Sequence, residues 1–285
     1  MTDANPIRNV SDTAAWVAVY RAMETDRPDA IFRDPYARRL AGERGQAIVD
    51  AMPQGTSMSW PMVVRTAVMD EIILRCVQQG ATTVLNLAAG LDARAYRLPL
   101  PPTLRWLHVD LPDMVDYFRR HMASETPRCD VEFIPADLRE RAVRQQVLAH
   151  AAGQGPMLVI TEGLLVYLEA EQVAHLAADL HDIAQAQWWL SDLASPRLLK
   201  FLEKRWSPTL RDGNAPFRFG PAEGTAFFAP FGWDEAEFRS SWTESLRLNR
   251  TAPHAWLWKL LRLLQPRRLR EEMLRMSGIV LLRAR

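Results

Sequence analysis

The chain has 285 residues, 48% hydrophobic and 24% charged, with a formal net charge of +1. This is an ordinary globular composition with enough apolar surface for one large domain, and its near-neutral balance removes the electrostatic case for a nucleic-acid partner. Two cysteines, Cys76 and Cys129, are too few to staple a fold of this size, and neither has a neighbour at metal-ligand spacing, so a reducing compartment is expected. The opening MTDANPIRNVSDTAAW lacks the basic and apolar regions of a secretory signal, and no apolar stretch approaches the ~18 residues of a membrane span. These features lead us to expect a cytoplasmic protein with no integral membrane association.

From Pro61 onward the sequence alternates between helical and strand patterns. In PMVVRTAVMDEIILRCVQQG (61–80), Met69, Ile72, Ile73, Cys76 and Val77 recur at helical spacing, with Pro61 near the first turn and Gly80 closing the helix. TVLNLA (83–88) is a first apolar strand, RWLHVD (105–110) a second, VEFIP (131–135) a third, MLVI (157–160) a fourth and QWWLSDL (187–193) a fifth. Between them, LPDMVDYFRRHM (111–122), LRERAVRQQVLAHAA (138–152) and EAEQVAHLAADLHDIA (169–184) read as helices. Ser195-Pro196 reads as the cap and first turn of another helix over RLLKFLEKRW (197–206). Strands alternating with helices over short connections predict a parallel sheet with helices on both faces.

Such a sheet binds ligands at the carboxyl ends of its strands. The residues expected there are Ala88, Ala89, Gly90, Leu91 and Asp92 after the first strand, Asp110 at the end of the second, Asp137 and Leu138 after the third, and Glu162 and Gly163 after the fourth. Asp110 lies twenty residues beyond Gly90, a spacing that suits a carboxylate accepting hydrogen bonds from a ribose diol; its ordinary alternative is a helix N-cap. The three-glycine dinucleotide fingerprint is incomplete, because Ala88, Gly90 and Ala93 occupy its register. A pyrophosphate would find a poor cradle, which disfavours a nicotinamide-dependent oxidoreductase and favours a ligand without phosphates. Arg65 continues the apolar row of Met69, Ile72 and Cys76, so it faces inward near the same edge, where a guanidinium can hold a ligand carboxylate or pair with Asp92 or Glu162. One arginine and several carboxylates around a glycine bend suit S-adenosylmethionine. Its cations would relieve repulsion that otherwise raises at least one carboxyl pKa.

Five ordered stretches carry a resemblance: SDTAAWVAVYRAMETDRPDAIFRDPYARRLAG, RTAVMDEIILRCVQQGATTVLNLAAGLDARAYRL, HVDLP, ADLRE and TEGLLVYL. Together they resemble the leucine carboxyl methyltransferase family, and within it the bacterial branch that includes the O-methyltransferase of tetracenomycin polyketide biosynthesis. The likeness covers residues 10 to about 195 well, and GWDEAEFRSS and GIVLLRAR more loosely. It implies an α/β, Rossmann-like class I S-adenosylmethionine-dependent methyltransferase fold: a mostly parallel seven-stranded sheet, helices on both faces and an antiparallel C-terminal hairpin. A single domain over 1–285 is expected, with a helical cap over the substrate site at 10–60, the cofactor-binding core at 61–195, and lid-like helices and the last strands at 196–285.

Carried over by motif, the resemblance implies that Arg65 holds the methionine carboxylate, that Ala88 and Gly90 line the methionine, and that Asp110 with Leu111 takes the ribose. Asp137 with the Leu138 backbone would read the adenine, Glu162 and Gly163 would close the methionine end, and Tyr167 would reach toward the acceptor. Members that methylate protein phosphatases carry a lysine in the first helix, where this chain has Ala15 or Trp16. A small-molecule acceptor is therefore expected in place of a protein tail.

Methyl transfer from a sulfonium is a single displacement, for which an enzyme aligns an oxygen nucleophile and excludes water, with no metal required. A carboxylate acceptor is already ionised at neutral pH, whereas a phenol near pKa 10 profits from a base. His108 lies inside a predicted strand, and His121, His150, His175 and His181 lie on helices or helix ends. His254, in TAPHAWLW, is the one histidine in a segment expected to cover the pocket. The scarcity of bases tilts the expectation toward a carboxyl acceptor. Trp16, Trp60, Trp256 and Trp258 are candidates for an aromatic acceptor cavity, while Trp188 and Trp189 read as core. The basic amphipathic run KLLRLLQPRRLREEMLR (259–275) is a solvated helix face or a contact for an acidic carrier protein or a membrane surface. A protein that keeps the cofactor site but catalyses nothing is the reading from another class.

Overall fold

The computed structural model describes residues 10–51, 59–153, 155–202, 204, 217–251 and 266–285. Seven strands, β1 (Thr83–Leu87), β2 (Arg105–Asp110), β3 (Asp130–Pro135), β4 (Met157–Thr161), β5 (Trp188–Ala194), β6 (Trp233–Ser240) and β7 (Ser277–Ala284), form one sheet in the order β3-β2-β1-β4-β5-β7-β6. The first five are parallel; β7 runs antiparallel to both β5 and β6. All residues of β1 and β4 are buried, which is why they read as largely apolar runs: parallel strands are covered on both faces. Strand order reverses at the β1/β4 boundary, the topological switch point where such sheets open a crevice.

Alternate residues enter two cores. Val84, Trp106, Leu158, Trp188 and Leu281 face one layer that includes α1 (Val10–Thr25), α2 (Ala37–Ala51), α3 (Trp60–Gln78) and, across α4 (Arg94–Arg97), α5 (Pro112–His121). Leu85, Leu107, Val159, Trp189 and Leu282 face the other, with α6 (Arg141–Ala151) and α7 (Ala170–Asp182). Both strand-five tryptophans are thus core residues, one on each face. Cys76 and Cys129 are free thiols and buried.

One boundary differs from the sequence-based expectation. The helix expected from Leu138 begins at Arg141, because the Asp137 carboxylate accepts the Arg139 N–H at 3.0 Å and holds 137–140 in a turn. The antiparallel C-terminal hairpin is present as expected: β7 is inserted between β5 and β6, with α9 (Ser241–Arg247) and α10 (Arg267–Leu274) in the connection. Helix α8 (196–202) follows β5 as expected, with Ser195 Oγ accepting the Leu198 N–H at 3.3 Å. No helix among the described residues is long and apolar enough to cross a membrane.

Candidate functional site

A cavity of about 1250 Å³ opens at the carboxyl ends of β1, β2, β4 and β5. Its cofactor-type wall includes Arg65, Ala88, Gly90, Asp110, Leu111, Asp137, Leu138, Glu162 and Gly163; the fold therefore brings together every residue expected at the sheet edge. α1 covers this edge: a Cβ on Gly90 would fall 3.1 Å from Ala14 Cβ, at φ +54°. Ala88 also has a positive φ, +52°, in a region that non-glycine residues seldom enter and that marks strain held by its surroundings.

Asp110 is tied to the bend after β1. Its Oδ2 accepts the Gly90 N–H at 2.6 Å and its Oδ1 the Leu111 N–H at 2.7 Å. Burial raises its pKa, and these two N–H groups offset only part of that rise. A carboxylate offers about four lone-pair sites, so capacity remains for two hydroxyl donors. Beyond it, Asp137 is bound by its own near neighbour Arg139, through Nε at 2.9 Å as well as through the backbone N–H, and this pairing lowers its pKa. Arg144 donates to the Leu138 carbonyl at 3.0 Å and to Asp179 on α7 at 3.1 Å, which fixes the loop after β3.

At the opposite end the carboxylates are not left to repel one another. Arg65 Nε lies 2.9 Å from Glu162 Oε1, off the axis of a hydrogen bond, and Nη1 donates to Asp192 at 3.1 Å. Asp192 also accepts the Gly163 N–H at 2.6 Å. Glu162 meets a second arginine, Arg94, at 2.6 Å, and Arg94 also bonds Asp92 and Asp70. Burial pushes Glu162 up, but Arg94 and then Arg65 outweigh it and hold the carboxyl at about 2. Asp92 is likewise lowered, Arg94 overcoming burial. The expected rise through carboxylate repulsion is therefore corrected: the raised group is Asp110, and burial is the cause.

The remaining wall is apolar and aromatic, with Trp16, Trp60, Phe217, Trp242 and Met276 among its residues. Tyr167 stands between this region and the charged end, hydrogen-bonded to Thr13 of α1 and close to Arg65; burial raises its pKa, offset by both. Its ring lies 5.8 Å from Phe217. His254, Trp256 and Trp258 lie outside the described residues. No histidine is among the described wall residues; His108 is buried in β2 against Phe118 and Phe133, and burial lowers its pKa to about 4.

Sequence reasoning missed Asp70, Arg94 and Asp192 as parts of the site. Asp70 had one available signal, a place among the apolar, buried residues Val68, Met69, Ile72 and Ile73 of its helix; Asp192 is brought to Arg65 across 127 residues with no local sign.

Comparison with known proteins follows the same lines. The leucine carboxyl methyltransferase family matches residues 14–181, more than half of the chain. A relative from Parafrankia sp. is 34% identical over 60% of this chain and 58% of its own length. One from Mycobacterium tuberculosis is 34% identical over 62% and 63%, and one from Frankia alni 32% identical over 66% and 74%. All three are provisionally named S-adenosyl-L-methionine-dependent methyltransferases; the match spans less than two thirds of the first two. Among solved structures, a DUF574 family protein of Streptomyces avermitilis aligns with a TM-score of 0.60 at 13% identity, over 94% of this chain and 97% of that one. A provisionally named methyltransferase of Thermobifida fusca aligns with a TM-score of 0.57 at 16% identity, over 98% and 96%. At these identities the likeness to the two structures is one of fold.

Proposed function

The chain belongs to the leucine carboxyl methyltransferase family, and from that premise we propose that it transfers a methyl group from S-adenosylmethionine to an oxygen of a small, flat acceptor. The fold is that of class I methyltransferases, and the family's cofactor is S-adenosylmethionine, released as S-adenosylhomocysteine.

The residues present fit that cofactor. Gly90 leaves a gap beneath Ala14 that a Cβ would close. Arg65 lines the cavity with a guanidinium already steadied by Glu162 and Asp192, and Asp110 keeps unused lone pairs beside its two backbone donors. Arg65 would hold the methionine carboxylate, Asp110 and Leu111 the ribose, and Asp137 with the Leu138 backbone the adenine. Ala88, Gly90, Glu162 and Gly163 would enclose the methionine portion. When bound, the cofactor supplies an electrophilic methyl group on a sulfonium.

The observation that carries the reading is the cavity itself. Its volume of about 1250 Å³ exceeds the ~300–1,000 Å³ usual for one small ligand, and it divides into a charged end and an aromatic end. Room for two ligands side by side is what a direct displacement needs. Trp16, Trp60, Trp242 and Phe217 would exclude water and clamp a planar acceptor. Tyr167 would orient the acceptor oxygen through its hydroxyl. An acceptor carboxylate would arrive already ionised and need no proton removed.

The test is calorimetric titration with S-adenosylmethionine, S-adenosylhomocysteine and NADH, followed by a methyl-acceptance screen of aromatic carboxylic acids and phenols. Micromolar binding of the two sulfur ligands alone, with turnover of at least one acceptor class, is expected. Binding without turnover of any acceptor would support a catalytically silent scaffold in its place.

A further inference from the structure

We propose that Arg94, which stands behind the cavity wall, is the positioning residue that fixes Glu162 as a permanent anion at the methionine end of the site. The inference rests on the reading that the cavity holds S-adenosylmethionine.

Arg94 is buried, with 3% of its side chain exposed, and is not among the wall residues. Its guanidinium reaches three carboxylates on three separate elements. Nη1 donates to Glu162 Oε2 at 2.6 Å, beyond β4, and to Asp92 Oδ2 at 2.8 Å, in the connection after β1. Nε donates to Asp70 Oδ1 at 2.6 Å, on α3. Its own backbone N–H donates to Asp92 Oδ1 at 2.8 Å. Asp70 is in turn held by both Nη atoms of Arg97 at 2.7 Å.

The consequence lies in what Glu162 is then free to do. Its Oε1 faces Arg65 Nε at 2.9 Å in the wall, and its Oε2 is held from behind. With Oε2 released, the carboxylate could turn both oxygens onto Arg65, quenching the cation assigned to the methionine carboxylate, or it could take up a proton. Arg94 forbids both outcomes. A lysine could not substitute fully, because an ammonium is a point charge, whereas the guanidinium fork aligns several donors at once.

The groups that face Glu162 set the sign of the test. Arg65 comes from α3, Arg94 from α4 and Arg21 from α1, and all three favour the ionised form. Asp92 opposes it from the loop after β1. Asp192 from β5 and Tyr167 act through their contacts with Arg65. Removing Arg94 takes away one of the two guanidiniums bonded to Glu162 and leaves the burial. Glu162 then titrates higher than in wild type, Arg65 and Arg21 still opposing the burial, and affinity for a ligand bearing ammonium and sulfonium cations falls as it protonates.

The experiment compares S-adenosylmethionine affinity at pH 5 and pH 7 in wild type, Arg94→Met, Arg94→Lys and Arg94→Met/Glu162→Gln. Asp110 contributes equally to all four, so the readout is the change in the pH 7 to pH 5 affinity ratio. At least a tenfold larger ratio is expected in Arg94→Met, a smaller increase in Arg94→Lys, and none in the double variant. A ratio in Arg94→Met equal to that of wild type overturns the proposal. Should Arg94→Met fail to fold with Asp92 stripped of its guanidinium partner and Asp70 left to Arg97 alone, carboxyl NMR titration of wild type and Arg94→Lys decides: Glu162 is expected to stay ionised in wild type down toward its value of about 2 and to titrate higher in the variant, and identical titrations overturn the proposal. Absence of S-adenosylmethionine binding in wild type at either pH is a different result. It refutes the cofactor reading and leaves the NMR comparison to judge Arg94.

Discussion

The Gly90 N–H donates to Asp110 Oδ2 at 2.6 Å, tying the bend after β1 to the end of β2 across twenty residues of sequence. Asp110→Ala removes this tie and the group we assign to the ribose together. S-adenosylmethionine affinity is expected to fall at least tenfold, about 1.4 kcal/mol, by calorimetry. The pH dependence has a definite sign. Burial raises the Asp110 pKa above its unfolded value, so its contribution to stability is present below the unfolded value and is lost as pH rises through the folded one. Hydroxyl donors favour the ionised form, and cofactor binding therefore releases a proton. The thermal shift caused by S-adenosylmethionine should grow as pH rises from the ordinary carboxyl value of 3.8 through the raised folded one, and should lose that trend in Asp110→Asn.

Arg65 and Gly163 are mutually constrained. Gly163 has φ +66°, and a Cβ there would stand 3.3 Å from Arg65 Nη1. Gly163→Ala should cost about 1–3 kcal/mol in urea denaturation, since the left-handed conformation and the contact are both unfavourable to a side chain. It should also weaken S-adenosylmethionine binding by displacing the guanidinium; Arg65→Ala should weaken it at least tenfold.

Glu162 carries acid sensitivity. Its carboxyl is held at about 2 against an ordinary 4.5. A depressed folded pKa contributes stability above the unfolded value, lost as pH falls through the window from 4.5 toward about 2. The difference is on the order of 3 kcal/mol. Glu162→Gln should be less stable than wild type at neutral pH, and the gap should narrow progressively through that window in denaturant melts.

Tyr167 stands at the boundary between the two halves of the cavity. Tyr167→Phe keeps the ring against Phe217 and removes the hydroxyl bonded to Thr13. Turnover of the accepted substrate should drop tenfold or more, while S-adenosylmethionine affinity stays within about twofold, a division expected of a group acting only on the acceptor. Equal losses in both would move Tyr167 to the cofactor side.

Arg250 and Glu24 join the end of α9 to the C-terminal turns of α1 as a buried pair, with contacts of 2.8–3.1 Å. Arg250→Ala should destabilise the protein by about 3 kcal/mol, because the buried Glu24 would lose its guanidinium and keep only the Ile31 N–H at 2.8 Å and Arg27 at 3.8 Å.

How far the sequence revealed this site depends on the range of each interaction. Strands β1 and β4 were legible because burial on both faces keeps them mostly apolar, with Asn86 the one polar residue inside β1. Gly90 and Asp110 were legible because a parallel βαβ unit fixes their spacing, and Arg65 because it lies on the apolar row of its own helix. Arg94 was opaque as a hub: its partners Asp70 and Glu162 lie 24 and 68 residues away, and only the folded sheet brings them together. The pairing of Arg250 with Glu24 spans 226 residues and has no local signature. The start of α6 was misjudged by three residues because a single side-chain bond, Asp137 to the Arg139 N–H, outweighs the helical pattern over 138–140.

The insertion of β7 between β5 and β6 imposes a waiting period during synthesis. Strand β6 is made first, yet it reaches the sheet only through β7, whose residues are still to come. At ribosomal rates of about 5–20 residues per second, the roughly forty intervening residues take ~2–8 s. Throughout that interval β6 has no neighbour to pair with. Asp234, Glu235, Glu237 and Arg239 within the strand supply the charges that discourage an unpaired edge from recruiting another nascent chain. Neutralising them should therefore lower the soluble yield of newly made protein more than it lowers the stability of protein already folded.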